Sequence, residues 1–272
     1  MPGLIGIDNI TDIEARVIVS EVLGLANRKY NLRKLTRVIT MDQLIGDVPV
    51  ATKLVGSTKV PEFVEARLSS QSYTKLSFNL WKNVVHVAIS REAQRRARYD
   101  VLQMHVQDAA RELAKMENDQ IATALETTTN TLAGSDWGLS NDPASDIMAA
   151  QAQIESLELG FNANYIAMHP LVYADLVTNE LVKKYMSLDS VARTGNLPEF
   201  CGLPIIRDPA LTNTIALVVS TEAPAVVLGD GPSMVEKYTG GPAFYDGYAI
   251  AKFLEPKIVQ SSVIVKITGV HA

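Results

Sequence analysis

The residue pattern predicts an α+β chain with an extended β arm, one very long helix and an α/β segment closed by strands. Three observations carry this expectation. Apolar and polar side chains alternate over residues 76–80 and again over 85–89, residues 90–127 contain neither Gly nor Pro, and beyond residue 142 helix-like and strand-like stretches follow one another.

Composition narrows the function before any motif does. With 47% hydrophobic and 20% charged residues in 272, the chain has the material for a sizeable core and is not disordered overall. A net charge of -5 excludes a uniformly basic nucleic-acid binder. The single cysteine, Cys201, excludes an internal disulfide and a cysteine-based zinc site, and points to a reducing compartment. No leader-like start and no apolar run of about 18 residues is present, so a soluble protein made inside the cell is expected. Asn9-Ile10-Thr11 is then a chance sequon.

Thr11 and Glu14 have capping-box spacing, and Ala15, Ile18, Val22 and Leu25 give the following helix one apolar face to about Asn27. A basic stretch follows with no intervening acid: Arg28, Lys29, Arg33, Lys34 and Arg37. It reads either as a solvated turn or as a site for an anionic partner. Over 48–90, Leu76, Phe78 and Leu80, then Val85, Val87 and Ile89, occupy alternate positions, as strands with one buried face do. Gly46, Pro49, Gly56 and Pro61 interrupt the preceding stretch. This segment reads as a β arm or hairpin whose few large apolar residues need another surface to cover them.

Ser90 can cap a helix running to about Thr127, with a stripe through Leu102, Val106, Ala109, Leu113, Met116, Gln120 and Ala124. Such a helix would be about 55 Å long, a spine rather than an ordinary packed element. Arg91, Arg95, Arg96 and Arg98 crowd its first turns against the macrodipole, which hints at acidic neighbours or phosphates; a solvated arginine face is the alternative. Residues 127–141 form a polar connector containing Trp137. Asp142-Pro143 then begins a helix with its stripe at Ile147, Ala150, Ile154 and Leu157, and Gly160 stops it. Strands are expected at 165–168, 202–206, 215–219, 225–228, 234–238, 248–254 and 258–268. A helix from His169-Pro170 to about Thr178, a turn at Gly229–Pro232 and a break at Pro256 complete the pattern.

Chemistry-bearing motifs are missing. The chain has no P-loop, no nucleophile elbow and no His-Glu-x-x-His pair, and its four histidines are scattered. His169 reads as a helix cap and Cys201 as a structural thiol. Glu112, Glu117 and Asp119 on the long helix read as a solvated or intersubunit face rather than a metal or proton-transfer site. No catalytic residue, cofactor or metal is expected.

The order of parts resembles the HK97-type major capsid protein family, which includes tailed-virus capsids and encapsulin shells. Leu76–Trp81 is similar to the strand returning from that family's E-loop. The run Asp146–Gly160 followed by Tyr165–Leu176 is similar to its A-domain helix, strand and helix. Gly202-Leu203-Pro204-Ile205-Ile206 is similar to its Gly-hydrophobic-Pro strand, and 248–268 to its last P-domain strands. The likeness extends over about 48–268. His169 stands where many relatives have Asn, and where many viral members carry a long cleaved scaffolding segment this sequence has a short arm, so either a separate scaffold or none is expected.

The resemblance implies an N-terminal arm with an amphipathic helix (1–47), an E-loop (48–90), a P-domain with the spine helix (91–145), an A-domain (146–243) and closing P-domain strands (244–272). It implies a non-enzymatic major capsid protein that assembles as hexamers and pentamers into an icosahedral shell around the double-stranded DNA of a tailed virus. Such a protein is made in the host cytoplasm and works in the virion, with portal, scaffold or decoration proteins as further partners and no membrane. Arg28, Lys29, Arg33, Lys34, Arg37, Arg91, Arg95, Arg96 and Arg98 would face packaged DNA through sequence-independent phosphate contacts. Lys75, Leu76, Phe78, Leu80 and Trp81 would lie in the intersubunit E-loop, where Lys53, Lys59 and Lys75 do not by themselves establish cross-linking. The alternatives are an encapsulin-type shell around cargo enzymes and, from another class, a cytosolic α+β enzyme without a recognisable motif.

Overall fold

The computed structural model describes residues 20–26, 29–51, 59–60, 62, 65, 72–90, 92, 101–138, 141–157, 160–185, 197–240 and 245–271. Its strands are β1 (Thr36–Thr40), β2 (Ile45–Ala51), β3 (Tyr73–Asn79), β4 (Trp81–Ser90), β5 (Thr131–Ala133), β6 (Tyr165–Met168), β7 (Glu199–Phe200), β8 (Leu203–Arg207), β9 (Ile215–Val219), β10 (Val226–Gly240), β11 (Tyr245–Ile258) and β12 (Ile264–Thr268). They form a four-stranded sheet in the order β1-β10-β11-β4, a six-stranded sheet β5-β12-β9-β6-β8-β7, and the two-stranded arm β2-β3.

The spine helix, Val101–Glu126, ties the sheets together. Its 26 residues span about 39 Å. Near its N-terminal end Val106, Ala109, Ala110, Leu113 and Ala114 pack with Val87 and Ile250 of the four-stranded sheet and with Val22 and Ala26 of the helix at 20–26. Three alanines there give the helix a low-relief face. Further along, Ile121, Ala122 and Leu125 meet both sheets at once, with Val226, Leu228 and Leu254 from one and Leu217, Val219 and Ile264 from the other. The predicted stripe holds for Val106, Ala109 and Leu113, then rotates onto 117, 118, 121 and 125. Ser90 ends β4 and residue 92 is helical; the helix start expected at Ser90 falls on residues 91 and 93–100, outside the described residues.

Strand β9 shows why the six-stranded sheet sits where it does. All five of its residues are buried. Ile215, Leu217 and Val219 face the spine helix, while Ala216 and Val218 face the opposite cluster. A period of two with both faces apolar belongs to a strand covered on both sides. The second face is covered by the helices Pro143–Glu155, through Ile147, Ala150 and Ile154, and Pro170–Thr178, through Val172, Tyr173 and Leu176. Both helices start as their sequences predict. The Asp142 carboxylate accepts the Ala144 N–H at 3.1 Å, and His169 Nδ1 accepts the Leu171 N–H at 3.1 Å, each ahead of a proline. Cys201 (φ 50°) and Gly202 (φ 77°) are both left-handed and form the two-residue loop between β7 and β8, so Cys201 serves as a turn residue.

Several local expectations give way to longer elements. Gly229–Pro232 is not a turn: β10 runs through it, with a register irregularity between Asp230 and Ser233. The glycines are there for close approach. A Cβ on Gly229 would lie 2.9 Å from Leu80 Cδ2, and one on Gly231 would lie 2.6 Å from Leu80 Cδ1 and 3.2 Å from the Phe253 carbonyl oxygen. Pro256 does not separate two strands. It lies within β11, beyond Leu254, the last residue paired with β4, where its missing N–H leaves no rung broken on that side. The connector 127–141 contributes β5 to the sheet edge. Its Trp137 is fully buried, and the indole N–H donates to Asp146 at 3.0 Å. Of the 48–90 stretch only β2 and β3 form the arm, because β4 belongs to the four-stranded sheet.

Gly231→Ala is expected to lower unfolding stability by about 1–3 kcal/mol, since backbone as well as Leu80 must move. A denaturant midpoint shift checks this; an unchanged midpoint would show that the seat under Leu80 has room to spare.

Candidate assembly surface and ionic centre

At the arm, β2 and β3 pair in register from Ile45↔Asn79 to Ala51↔Tyr73. Only Phe78 of the seven β3 residues is buried. Phe78 and Leu80 sit at the root, packed with Val227 and Phe253 of the same chain. This corrects the expectation that both reach a neighbouring subunit: the free space over Gly229 and Gly231 gives them a seat at home. Polar contacts fix the root further. The Leu80 N–H donates to Leu44 O (2.8 Å), the Asn79 N–H donates to Glu255 Oε2 (2.6 Å), and Lys257 Nζ donates to Ser77 O and lies over the Phe78 ring.

Outward from the root Lys75 is exposed and sits 4.0 Å from Asp47, and Leu76 is half-buried; on the body side of the root, at the start of β4, Trp81 is 65% exposed. Ile45 (68%) and Tyr73 (66%) add apolar surface. Trp81 borders an open groove of about 510 Å³, lined also by Gln120 and Thr123 of the spine helix and by Glu255–Ile258.

The predicted interior-facing cations divide. Arg28, Arg91, Arg95, Arg96 and Arg98 lie outside the described residues, as does Lys53. Lys29, Lys34 and Arg37 are exposed around the 3-10 turn Leu32–Leu35 and β1. Arg33 is different, because its guanidinium is committed inside the chain. Nε donates to Glu117 Oε1 at 2.7 Å and Nη2 to Asp230 Oδ2 at 2.8 Å. Two carboxylates neutralise it, so Arg33 is not carried forward as a phosphate contact.

Arg33 belongs to an ionic centre that sequence reading missed. The Glu117 carboxylate, fully buried, also accepts from Lys252 Nζ at 2.8 Å. Lys252 lies 3.5 Å from Asp230 Oδ1 and donates to the Tyr30 hydroxyl at 3.2 Å. Both cations stack on the Tyr30 ring, Arg33 at 4.7 Å and Lys252 at 4.6 Å from its centroid. Burial alone pulls the Lys252 ammonium down, but Glu117, Tyr30 and Asp230 together outweigh it and hold the pKa above the ordinary lysine value. Burial pushes the Tyr30 phenol up, and Lys252 pulls it partly back. Glu117 therefore does not belong to a solvated or intersubunit face as expected. Its only sequence signal is an acid on the buried side of the helix, one turn past Leu113.

This arrangement has no nucleophile–base pair and, among the described residues, no group of three or more His, Cys, Asp or Glu that could hold a metal ion. None of the described helices is long and apolar enough to cross a membrane. What the geometry offers is mechanical: a packed core carrying a two-stranded arm, with exposed apolar side chains at Ile45, Tyr73 and Trp81. A family model described as "Phage capsid protein" matches residues 87–266, the greater part of the chain. The chain belongs to the phage capsid protein family.

Solved structures agree on the fold. The virus-like particle from Pyrococcus furiosus is similar over 93% of this chain and 99% of that one (TM-score 0.65, 14% identity). A structure titled Gordonia phage Cozz matches over 88% and 86% (0.70, 15%). The capsid of a native GTA particle matches over 90% and 91% (0.69, 12%). No curated protein sequence matches the chain significantly. The phage capsid protein has the HK97-like fold anticipated from the order of its parts, and family membership makes it a structural, shell-forming component of a virion capsid.

In this capsid protein the ionic centre should behave as one unit. Lys252→Met is expected to destabilise by about 3–5 kcal/mol, because it leaves buried carboxylate charge undercompensated, and Glu117→Met with Lys252→Met should recover part of that loss. Denaturant unfolding of the three proteins measures it; strict additivity would show that the pair is uncoupled. The sign with pH follows from the raised Lys252 value. Its stabilisation is complete below the ordinary lysine range and is lost as pH rises through the raised value, so Lys252→Met should flatten the alkaline fall in stability.

Proposed function

We propose that this chain is the major capsid protein of a tailed virus, assembling through hexamers and pentamers into an icosahedral shell that encloses double-stranded DNA. The observation that carries the reading is the family match over residues 87–266 in a chain that exposes Ile45 on the arm and Trp81 beside the arm's root. A two-stranded ribbon with one buried residue is not independently stable in water. Its outer part gains stability when it lies on a neighbouring subunit, so stability and assembly are linked by mass action. Trp81, Lys75 and Leu76 are the residues we assign to that contact.

The inner surface in this reading carries Lys29, Lys34 and Arg37 with Arg28, Arg91, Arg95, Arg96 and Arg98. They meet DNA through phosphates, without sequence preference and with marked sensitivity to salt. An acidic chain is compatible with this because only one surface meets the genome. The protein is synthesised in the host cytoplasm, and portal, scaffold or decoration proteins complete the particle. A second reading, a particle of the same fold holding protein cargo, draws support from the full-length likeness to the Pyrococcus furiosus virus-like particle.

Electron microscopy of the protein expressed alone is expected to show closed, uniform shells; small soluble species at high concentration would count against self-assembly without partners. Replacing Arg95, Arg96 and Arg98 by Glu should spare folding and shell formation but reduce nuclease-protected DNA in particles. At a salt slope of about −0.9 per phosphate contact, the remaining binding should also lose about three units of slope. Particles with unchanged DNA content would remove these arginines from the inner surface, and particles filled with protein instead of DNA would favour the second reading.

A further inference from the structure

A second polar centre lies where the N-terminal arm, the spine helix and the end of β8 meet. Asp208, just past β8, is nearly fully buried. Its Oδ1 accepts the Ala210 N–H at 2.9 Å, and its Oδ2 accepts from Asn118 Nδ2 at 3.0 Å and from Asn31 Nδ2 at 3.2 Å. All three donors are neutral, and no ion pair to Asp208 occurs among the described residues. The same Asn118 Nδ2 also donates to the Lys29 carbonyl oxygen at 3.3 Å, tying the arm to the spine helix. Asn118 itself is 6% exposed, and its Oδ1 is buried without a hydrogen-bond partner. One amide nitrogen thus does two jobs while the oxygen beside it does none.

That asymmetry is a stored alternative. A buried acceptor without a donor is unfavourable. The arrangement survives because an ionised Asp208 accepts hydrogen bonds and offers none, which keeps the NH₂ end of Asn118 turned toward it. A proton on Asp208 Oδ2 reverses the preference. The carboxylic acid becomes a donor, and the idle Oδ1 becomes its natural acceptor once the amide rotates by half a turn. Rotation removes Nδ2 from the Lys29 carbonyl and sets two oxygens against each other in its place. Asn31, which is exposed, can turn its own NH₂ to solvent.

We propose that Asp208 and Asn118 form a proton-sensitive clasp that holds the N-terminal arm at Lys29 to the spine helix when the carboxylate is ionised and releases it when the carboxylate is protonated. The proton comes from solvent through an open pocket of about 270 Å³, lined by Lys29, Asn31, Arg111, Lys115, Asp119 and Asp208 among others. Burial moves the Asp208 carboxyl above the ordinary range, against hydrogen bonds from Ala210 and Asn31; the Asp119 charge raises it further, and His169 lowers it. Lys29, Arg111 and Lys115 line the rim of the same pocket, and the raised value means that the carboxylate takes up its proton at a higher pH than an exposed aspartate does.

Hydrogen exchange of the full-length protein, corrected for the intrinsic pH dependence, tests the clasp in peptides covering 26–35. Wild-type protein is expected to lose protection on acidification by about fivefold, the worth of one net hydrogen bond. Asp208→Asn, a fixed stand-in for the neutral acid, should exchange fast at both pH values. Protection that does not change with pH in the wild type, or a full pH response retained in Asp208→Asn, overturns the proposal. Should Asp208→Asn fail to fold, Asn118→Ala provides the same reading: loss of the pH response supports the clasp, and a wild-type response refutes it.

Discussion

The fully buried carboxylate of Glu117 is the constraint around which the rest is organised. A carboxylate in that position is tolerable only when it is paired and hydrogen-bonded. Its partners come from two places far apart in sequence, Arg33 from the N-terminal arm and Lys252 from β11, and Asp230 on β10 is the second carboxylate that both cations share. Two cations and two carboxylates balance only together. The centre therefore exists only when arm, helix and sheet are all in their final places. Its value lies less in net stability, which an apolar replacement could match, than in making misregistered alternatives expensive. The irregularity of β10 between Asp230 and Ser233 falls at the same point and accompanies the presentation of Asp230 to both cations.

Local chemistry made the A-domain half legible. Asp142-Pro143 and His169-Pro170 announce helix starts because the cap and the proline act within three residues, and both appear where expected. Strand β9 was legible for the same reason, an apolar run too short for a helix. Long-range decisions were not. Whether Gly229-Asp230-Gly231-Pro232 turns or continues depends on Leu80 and Phe78, about 150 residues earlier, which need the space two missing Cβ atoms leave. Pro256 was read as a break because its tolerance depends on β4 stopping short. Glu117 looked like any surface acid, since the two cations that bury it stand 84 and 135 residues away.

The arm shows how a family-level likeness and a residue-level reading differ in reach. The order of parts pointed to the HK97-like fold, and the fold is as expected. The assignment of each apolar arm residue to a neighbour was too broad. Phe78 and Leu80 anchor the arm to its own sheet, and the exposed side chains lie elsewhere, Tyr73 at the far described end of β3 and Trp81 at the start of β4. Anchoring falls to separate residues from those left exposed, so substitutions at the root act on how the arm is held to its own sheet.

That division gives the arm the mechanics of a lever. The seven residues of β3 span about 23 Å from the Leu80 pivot, so a tilt of about ten degrees at the root moves the far end by about 4 Å. The pivot is a glycine seat flanked by Glu255 and Lys257, whose bonds to Asn79 and Ser77 resist such a tilt from one side of the hairpin. In the proposed assembly a small adjustment within one polypeptide is thereby amplified at the end of the arm, which is what identical copies need in order to tile a curved surface whose local geometry is not the same everywhere.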